Sequence, residues 1–259
     1  MKYLHTKDQY IAVFDSGVGG ISVLKELIRQ MPNENFLYYG DSAHAPYGGL
    51  PTQRVQKLTL HVAEILENRG IKAMVVACNT ATAAAIEVLR QRFPDIPVIG
   101  IEPALKLAAD RFPGGHIGIM ATQVTLREEK LAHQMERFPD LQIERIPAPG
   151  LVELVENGLG NSPEAEELLK NILGPYVGKL DALVLGCTHY PFAKGAIRRV
   201  LGEDTPLLDG SEGTARQTRH CLEQAGMLSS GPGNIQIENS QPGPEILLLS
   251  KRLLEHPEE

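Results

Sequence analysis

Short apolar, β-branched runs alternate with amphipathic helical stretches along almost the whole chain, and this alternation most restricts the fold it can adopt. A strand–helix–strand grammar buries each strand in a parallel sheet with helices on the faces. The runs YIAVFD, NFLYYG and KAMVVA are followed by ISVLKELIRQM, TQRVQKLTLHVAEILENRG and TATAAAIEVLRQRF. In the first of these helices Ile21, Leu24, Ile28 and Met31 recur at spacings of three and four, an apolar stripe suited to lying on a sheet, and Pro32 marks its end.

The same grammar then starts again, with HIGIMA followed by a helix from about Thr125, LQIERI by LVELVENG, and ALVLGC by AKGAIRRVLG. Ile11-Ala-Val-Phe-Asp-Ser aligns with Ile117-Gly-Ile-Met-Ala-Thr at an offset of 106, while Val75-Val-Ala-Cys aligns with Val184-Leu-Gly-Cys and Pro97-Val-Ile with Pro206-Leu-Leu at 109. Three matches in one order and at nearly one offset read as an internal repeat. The expected fold is α/β, with two pseudo-symmetric half-domains, mostly parallel central sheets, and a site in the crevice between them. The C-terminal stretch, SEGTARQTRHCLEQAG, the linker SSGPG, the strand IQIEN and a helix near EILLLSKRLLEH, is expected to return to the first half. The expected division is therefore 1–98 plus 210–259 against 99–209.

At 259 residues, 42 % of them hydrophobic, the chain can bury a substantial core. Its formal charge of -7 argues against a surface for nucleic acid or anionic membrane, because backbone phosphates need a basic patch. No run approaches the roughly 20 apolar residues of a membrane span, and MKYLHTKDQY has no signal-peptide character, so a cytoplasmic location is expected. Cys78, Cys187 and Cys221 are odd in number and free of CxxC spacing, as free thiols would be. His44, His61, His116, His133 and His220 show no metal-ligand spacing, and no metal is expected.

Cys78 and Cys187 occupy matched positions in the repeat, each at a strand end. Cys78 precedes a helix whose N–H groups and dipole are expected to lower its pKa, with Asn79 and Thr80 free to cap that helix or hold a carboxylate. Thr188 and His189 follow Cys187 directly. Asp15-Ser16-Gly17-Val18-Gly19-Gly20 joins the first strand to the first helix, where an open α/β sheet binds anions. Ser22 breaks the dinucleotide fingerprint, so a small-anion site fits better, with Asp15 available for proton transfer. The segment from Tyr39 to Gly49 is a polar loop over the site, in which Tyr47 and Gly48 are candidate substrate contacts and Asp41 a turn partner. Glu156 sits on an amphipathic helix, where a glutamate is ordinarily solvated, and Glu102 is given no role.

The ordered motifs DSGVGG, PYG, ACNTA and GCTHYP resemble those of the glutamate racemases of bacterial peptidoglycan synthesis, within the aspartate/glutamate racemase superfamily, over most of residues 10–225. The resemblance implies paired α/β domains that interconvert L- and D-glutamate without a cofactor. It implies Cys78 and Cys187 as the acid–base pair, assisted by Asp15 and His189. Asp15, Ser16, Tyr47, Gly48, Asn79, Thr80, Thr188 and His189 would contact substrate, and Asp41 and Glu156 would support the site. Cys187 would take the proton of the L-enantiomer and Cys78 that of the D-enantiomer. LREEKL and the chain after residue 225 follow the pattern less closely. The chain lacks the long N-terminal extension that carries activator control in some members, so such control is not expected. A small-molecule partner is implied, and a homodimer stays open.

Two opposed carriers suit inversion of a stereocentre, since the α-proton leaves one face and a proton returns to the other. The rival readings are an aspartate racemase, a one-cysteine decarboxylase, a Cys187–His189 hydrolase and a binding module without turnover.

Overall fold

The apolar runs become strands buried on both faces, and the chain winds them into two sheets. The computed structural model describes residues 6–127 and 129–255. It opens with β1 (Ile11–Asp15), α1 (Ile21–Gln30), β2 (Phe36–Gly40), α2 (Thr52–Glu67), β3 (Ala73–Val76), α3 (Asn79–Arg92) and β4 (Val98–Gly100). It continues through α4 (Leu105–Arg111), β5 (His116–Ala121), α5 (Gln123–Arg127), α6 (Glu129–Glu136), β6 (Gln142–Pro147), α7 (Leu151–Glu156), α8 (Pro163–Leu173), β7 (Ala182–Leu185), α9 (Lys194–Leu201) and β8 (Leu207–Asp209). It ends with α10 (Ser211–Gln224), β9 (Ile235–Asn239) and α11 (Pro244–Glu255).

One sheet has the order β4-β3-β1-β2-β9 and the other β8-β7-β5-β6, and every pairing is parallel. The registers repeat as well. Ile11 lies opposite Phe36 and Ala73, and Ile117 opposite Ile143 and Ala182; Met74 faces Val98 as Leu183 faces Leu207. The two halves are thus copies of one doubly wound unit, to which the first adds β9 outside β2. In each, strand order reverses beside the first strand, and it is beyond the carboxyl ends of the strands at such a point that doubly wound sheets bind ligands.

Alternate residues of each strand enter different cores. Ala12, Phe14, Met74 and Val76 pack with α2 and α3, while Ile11, Val13, Ala73 and Val75 pack with α1 and α10. Met120, Leu183 and Leu185 against Ile117, Ile119 and Val184 divide the second sheet in the same way. Each fully buried Val, Ile or Leu contributes roughly 1.5–3 kcal/mol, so the strands are held by burial on both faces.

Short or capped elements depart from the sequence pattern. The helix expected from about Thr125 is described over Gln123–Arg127 as α5 and over Glu129–Glu136 as α6, and Glu128 of LREEKL lies outside the described residues. Residues 1–5 of MKYLHTKDQY, and His256 at the end of the expected last helix, also lie outside them. The periodicity did not single out α4 or α8. Among the described residues no helix is long and apolar enough to cross a membrane.

Candidate active site

Cys78 and Cys187 each lie two residues past the last residue of equivalent strands, β3 and β7. Cys78 is the N-cap of α3: its Sγ accepts the Ala81 N–H at 3.4 Å, the place the sequence reading offered to Asn79 or Thr80. Ser16 Oγ lies 3.4 Å from the same sulfur. The expectation of a lowered thiol pKa is overturned. Burial, reinforced by the Asp15 charge, pushes Cys78 up to about 12 against the pull of Ser16 and Ala81. One helix end offers a few partial charges, whereas a sulfur only 4 % exposed forfeits nearly all its hydration.

Cys187 Sγ lies 3.7 Å from His189 Nδ1, and His189 Nε2 lies 2.6 Å from Glu156 Oε1. Burial by itself would lower the imidazole, but the Cys187 and Glu156 acceptors at its two nitrogens hold it well above the ordinary histidine value. Burial would raise Glu156, yet His189 and the Val18 N–H bring it below the usual carboxylate range. The pair is therefore imidazolium and carboxylate at neutral pH.

Glu156 is no solvated face residue. Its Oε1 also accepts the Val18 N–H at 2.7 Å, and its Oε2 accepts from Ser42 Oγ at 3.3 Å. The small-anion site expected in DSGVGG is thus occupied by the chain's own carboxylates, because the Gly17 N–H goes to Asp15 Oδ2 at 3.2 Å. The glycines admit these groups. A Cβ on Gly17 would sit 1.8 Å from Glu156 Oε1, and one on Gly19 2.4 Å from His189 Nδ1.

Asp15, fully buried, accepts the Thr188 hydroxyl at 3.1 Å, and burial raises its pKa despite His189 nearby. Asp41 accepts the Tyr47 hydroxyl at 2.6 Å and sits 2.9 Å from His44 Nδ1, while its N–H donates to the Asp15 carbonyl. Gly48 approaches the second half so closely that a Cβ there would be 2.6 Å from Thr122 Cβ. Thr80 Oγ1 lies 3.0 Å from Thr122 Oγ1 and 3.4 Å from Thr125 Oγ1. The Asn79 side-chain oxygen is buried without a hydrogen-bond partner, an acceptor in want of a donor.

All twelve residues singled out in the sequence gather at the junction of the two halves. Ser42, Thr122, Thr125 and Tyr38, whose hydroxyl donates to the Gly17 carbonyl at 2.6 Å, were not among them. The repeat held a signal for one: the offset of 106 places Thr122 on Ser16. Together these groups set buried carboxylates, hydroxyls and an imidazole beside two buried thiols, a set suited to hydrogen bonding and proton transfer.

A family model described as Asp/Glu/Hydantoin racemase matches residues 19–218. The glutamate racemase of Clostridium acetobutylicum is 49 % identical over 256 residues, 97 % of this chain and 100 % of that protein. Among solved structures, a glutamate racemase isoform from Bacillus anthracis superposes with a TM-score of 0.86 at 34 % identity, covering 97 % of this chain and 96 % of its own. The Escherichia coli glutamate racemase in complex with L-glutamate and the activator UDP-MurNAc-ala gives 0.83 at 34 % identity, with 95 % of each chain covered. With the repeated sheets and the two strand-end thiols, this likeness over nearly the whole chain places it in the Asp/Glu/Hydantoin racemase family, among the glutamate racemases, isomerases that act on amino acids.

Proposed function

We propose that the protein interconverts L- and D-glutamate by two-base proton transfer at the α-carbon, with Cys78 and Cys187 on opposite faces of the substrate and no cofactor. The observation that carries this reading is the matched placement of both thiols, two residues beyond equivalent strands in one buried polar cluster. In the resting protein Cys78 is a thiol, ready to give a proton. The His189 imidazolium supplies the positive charge that a Cys187 thiolate requires. This state suits L-glutamate: Cys187 takes the α-proton, negative charge builds on the substrate carboxylate, and Cys78 protonates the other face. After turnover the protonation states are exchanged, which is the form suited to D-glutamate.

Hydroxyls of Ser16, Thr80 and Thr188, with backbone donors, would stabilise the developing charge. The partnerless Asn79 oxygen would accept from the substrate ammonium. Tyr47 and Gly48 would border the distal carboxylate, Asp41 would orient Tyr47, and Asp15 would adjust Cys78 by its charge. Supply of D-glutamate for peptidoglycan is the role that the resemblance supports.

The test is incubation of the purified protein with L-glutamate in D₂O without added cofactor, following circular dichroism and α-deuterium by mass spectrometry. Loss of optical signal with one deuterium per turnover is the expected result. Reaction of L-aspartate alone would overturn the substrate, and no exchange into either would leave a binding module.

A further inference from the structure

The edge strand β9 reaches the candidate site through side chains. Its last residue, Asn239, pairs with Gly40, and the Ser240 N–H donates to the Gly40 carbonyl at 2.9 Å. Gly40 permits the approach, since a Cβ there would lie 2.7 Å from Asn239 Nδ2. Asn239 Oδ1 accepts the Gln241 N–H at 2.8 Å, which fixes the amide orientation, because a flipped amide would set two donors against each other. Nδ2 must then donate to Ser42 Oγ at 3.0 Å. With its oxygen receiving that bond, the Ser42 hydroxyl points its own proton at Glu156 Oε2, 3.3 Å away. Glu156 holds His189, and His189 faces Cys187.

We propose that Asn239 is a positioning residue for the reaction, acting through Ser42 and Glu156 to orient the His189 ring beside Cys187. This rests on the racemase reading above. An asparagine is required because a donor must face Ser42 while an acceptor faces Gln241; aspartate has the same shape and reverses the first bond. The titratable groups around the ring are Glu156 on α7, Cys187 with its neighbour Tyr190, and Asp15 on β1, while Tyr38 on β2 faces Glu156.

The experiment compares Asn239→Asp, Ser42→Ala and the double variant by glutamate racemisation and by NMR of the His189 ring nitrogens in the whole protein. In Asn239→Asp the Ser42 proton turns to the new carboxylate, Glu156 loses a donor, and kcat falls on the order of tenfold with KM changed less than about twofold. The acid limb of the pH–rate profile moves up by about 0.5–1 unit, because a carboxylate with fewer donors binds its proton more tightly. Ser42→Ala has a similar effect without a substitution in β9, and the double variant is no slower than Ser42→Ala. The His189 ring shifts move in both single variants whether or not glutamate turns over. Unmoved ring shifts, or additive losses in the double variant, overturn the proposal. Moved shifts in a protein whose unaltered form fails to racemise glutamate would uphold the network and reject the racemase reading instead.

Discussion

At Cys78 one sulfur atom caps a helix and, in the proposed reaction, carries a proton, and substitution separates the two roles. Serine is a strong N-cap residue, so Cys78→Ser keeps the bond from the Ala81 N–H and its melting temperature stays within the equivalent of about 1 kcal/mol of the native chain. A hydroxyl is far too weak an acid to serve as the base, and racemisation falls by at least about 10³-fold. The same variant reports on the buried thiol. The folded protein holds the Cys78 proton up to about 12 against 9.0 for a free thiol, so the associated stability is fully present below pH 9 and is lost as pH rises toward 12. Denaturant melts between pH 8 and pH 11 should show a decline in the native chain that is shallower in Cys78→Ser; equal slopes would contradict the burial argument.

At the scale of elements, the turn between β1 and α1 works by what it omits. Gly17→Ala forces the Glu156 carboxylate out of its place, which releases His189; we expect a loss of about 1–3 kcal/mol in stability, and activity down by more than about tenfold. Gly49→Ala is the contrasting case. A Cβ there meets nothing within 4 Å, so stability should shift by less than about 0.5 kcal/mol and turnover stay native, as melting curves and initial rates would show. The division between what the sequence shows and what it hides follows the same lines. Strands such as β1, β3, β5 and β7 are legible because burial on both faces writes them as unbroken apolar runs, and the thiols are legible because the repeat pairs them. Glu156 is hard to read: it ends a six-residue helix, and its partners Val18 and Ser42 lie 138 and 114 positions away. Asn239 and Ser42 are 197 positions apart, and no local periodicity announces a bond of that span. The direction of the Cys78 shift is hidden for a related reason, since local position favours the thiolate while burial, a property of the whole fold, opposes it.

Over the whole molecule, chemistry and stability occupy opposite ends of the first sheet. The candidate site lies beyond the carboxyl ends of β1 and β3. At the amino ends, Lys72, just before β3, is buried with Glu34, just before β2, as an ion pair at 2.5 Å. Lys72 Nζ also donates to the carbonyls of Lys7 and of Met227, the latter at 2.9 Å, and Glu34 Oε1 accepts the Ser229 N–H at 2.8 Å. This cluster joins the N-terminal segment, two strand entries and the loop that leads from α10 to β9. A buried pair adds little net stability over an apolar pair, but removing one partner strands the other charge, at about 3–5 kcal/mol. Lys72→Met should therefore lower the melting temperature by roughly 6–20 °C. Protein that remains folded at 25 °C should keep kcat/KM within about twofold, because the site is at the far end of the sheet. Adding Glu34→Leu should restore most of the lost stability by removing the stranded carboxylate. A double variant as unstable as Lys72→Met would mean that the backbone bonds to Lys7, Met227 and Ser229, not the pairing of charges, hold the four segments together.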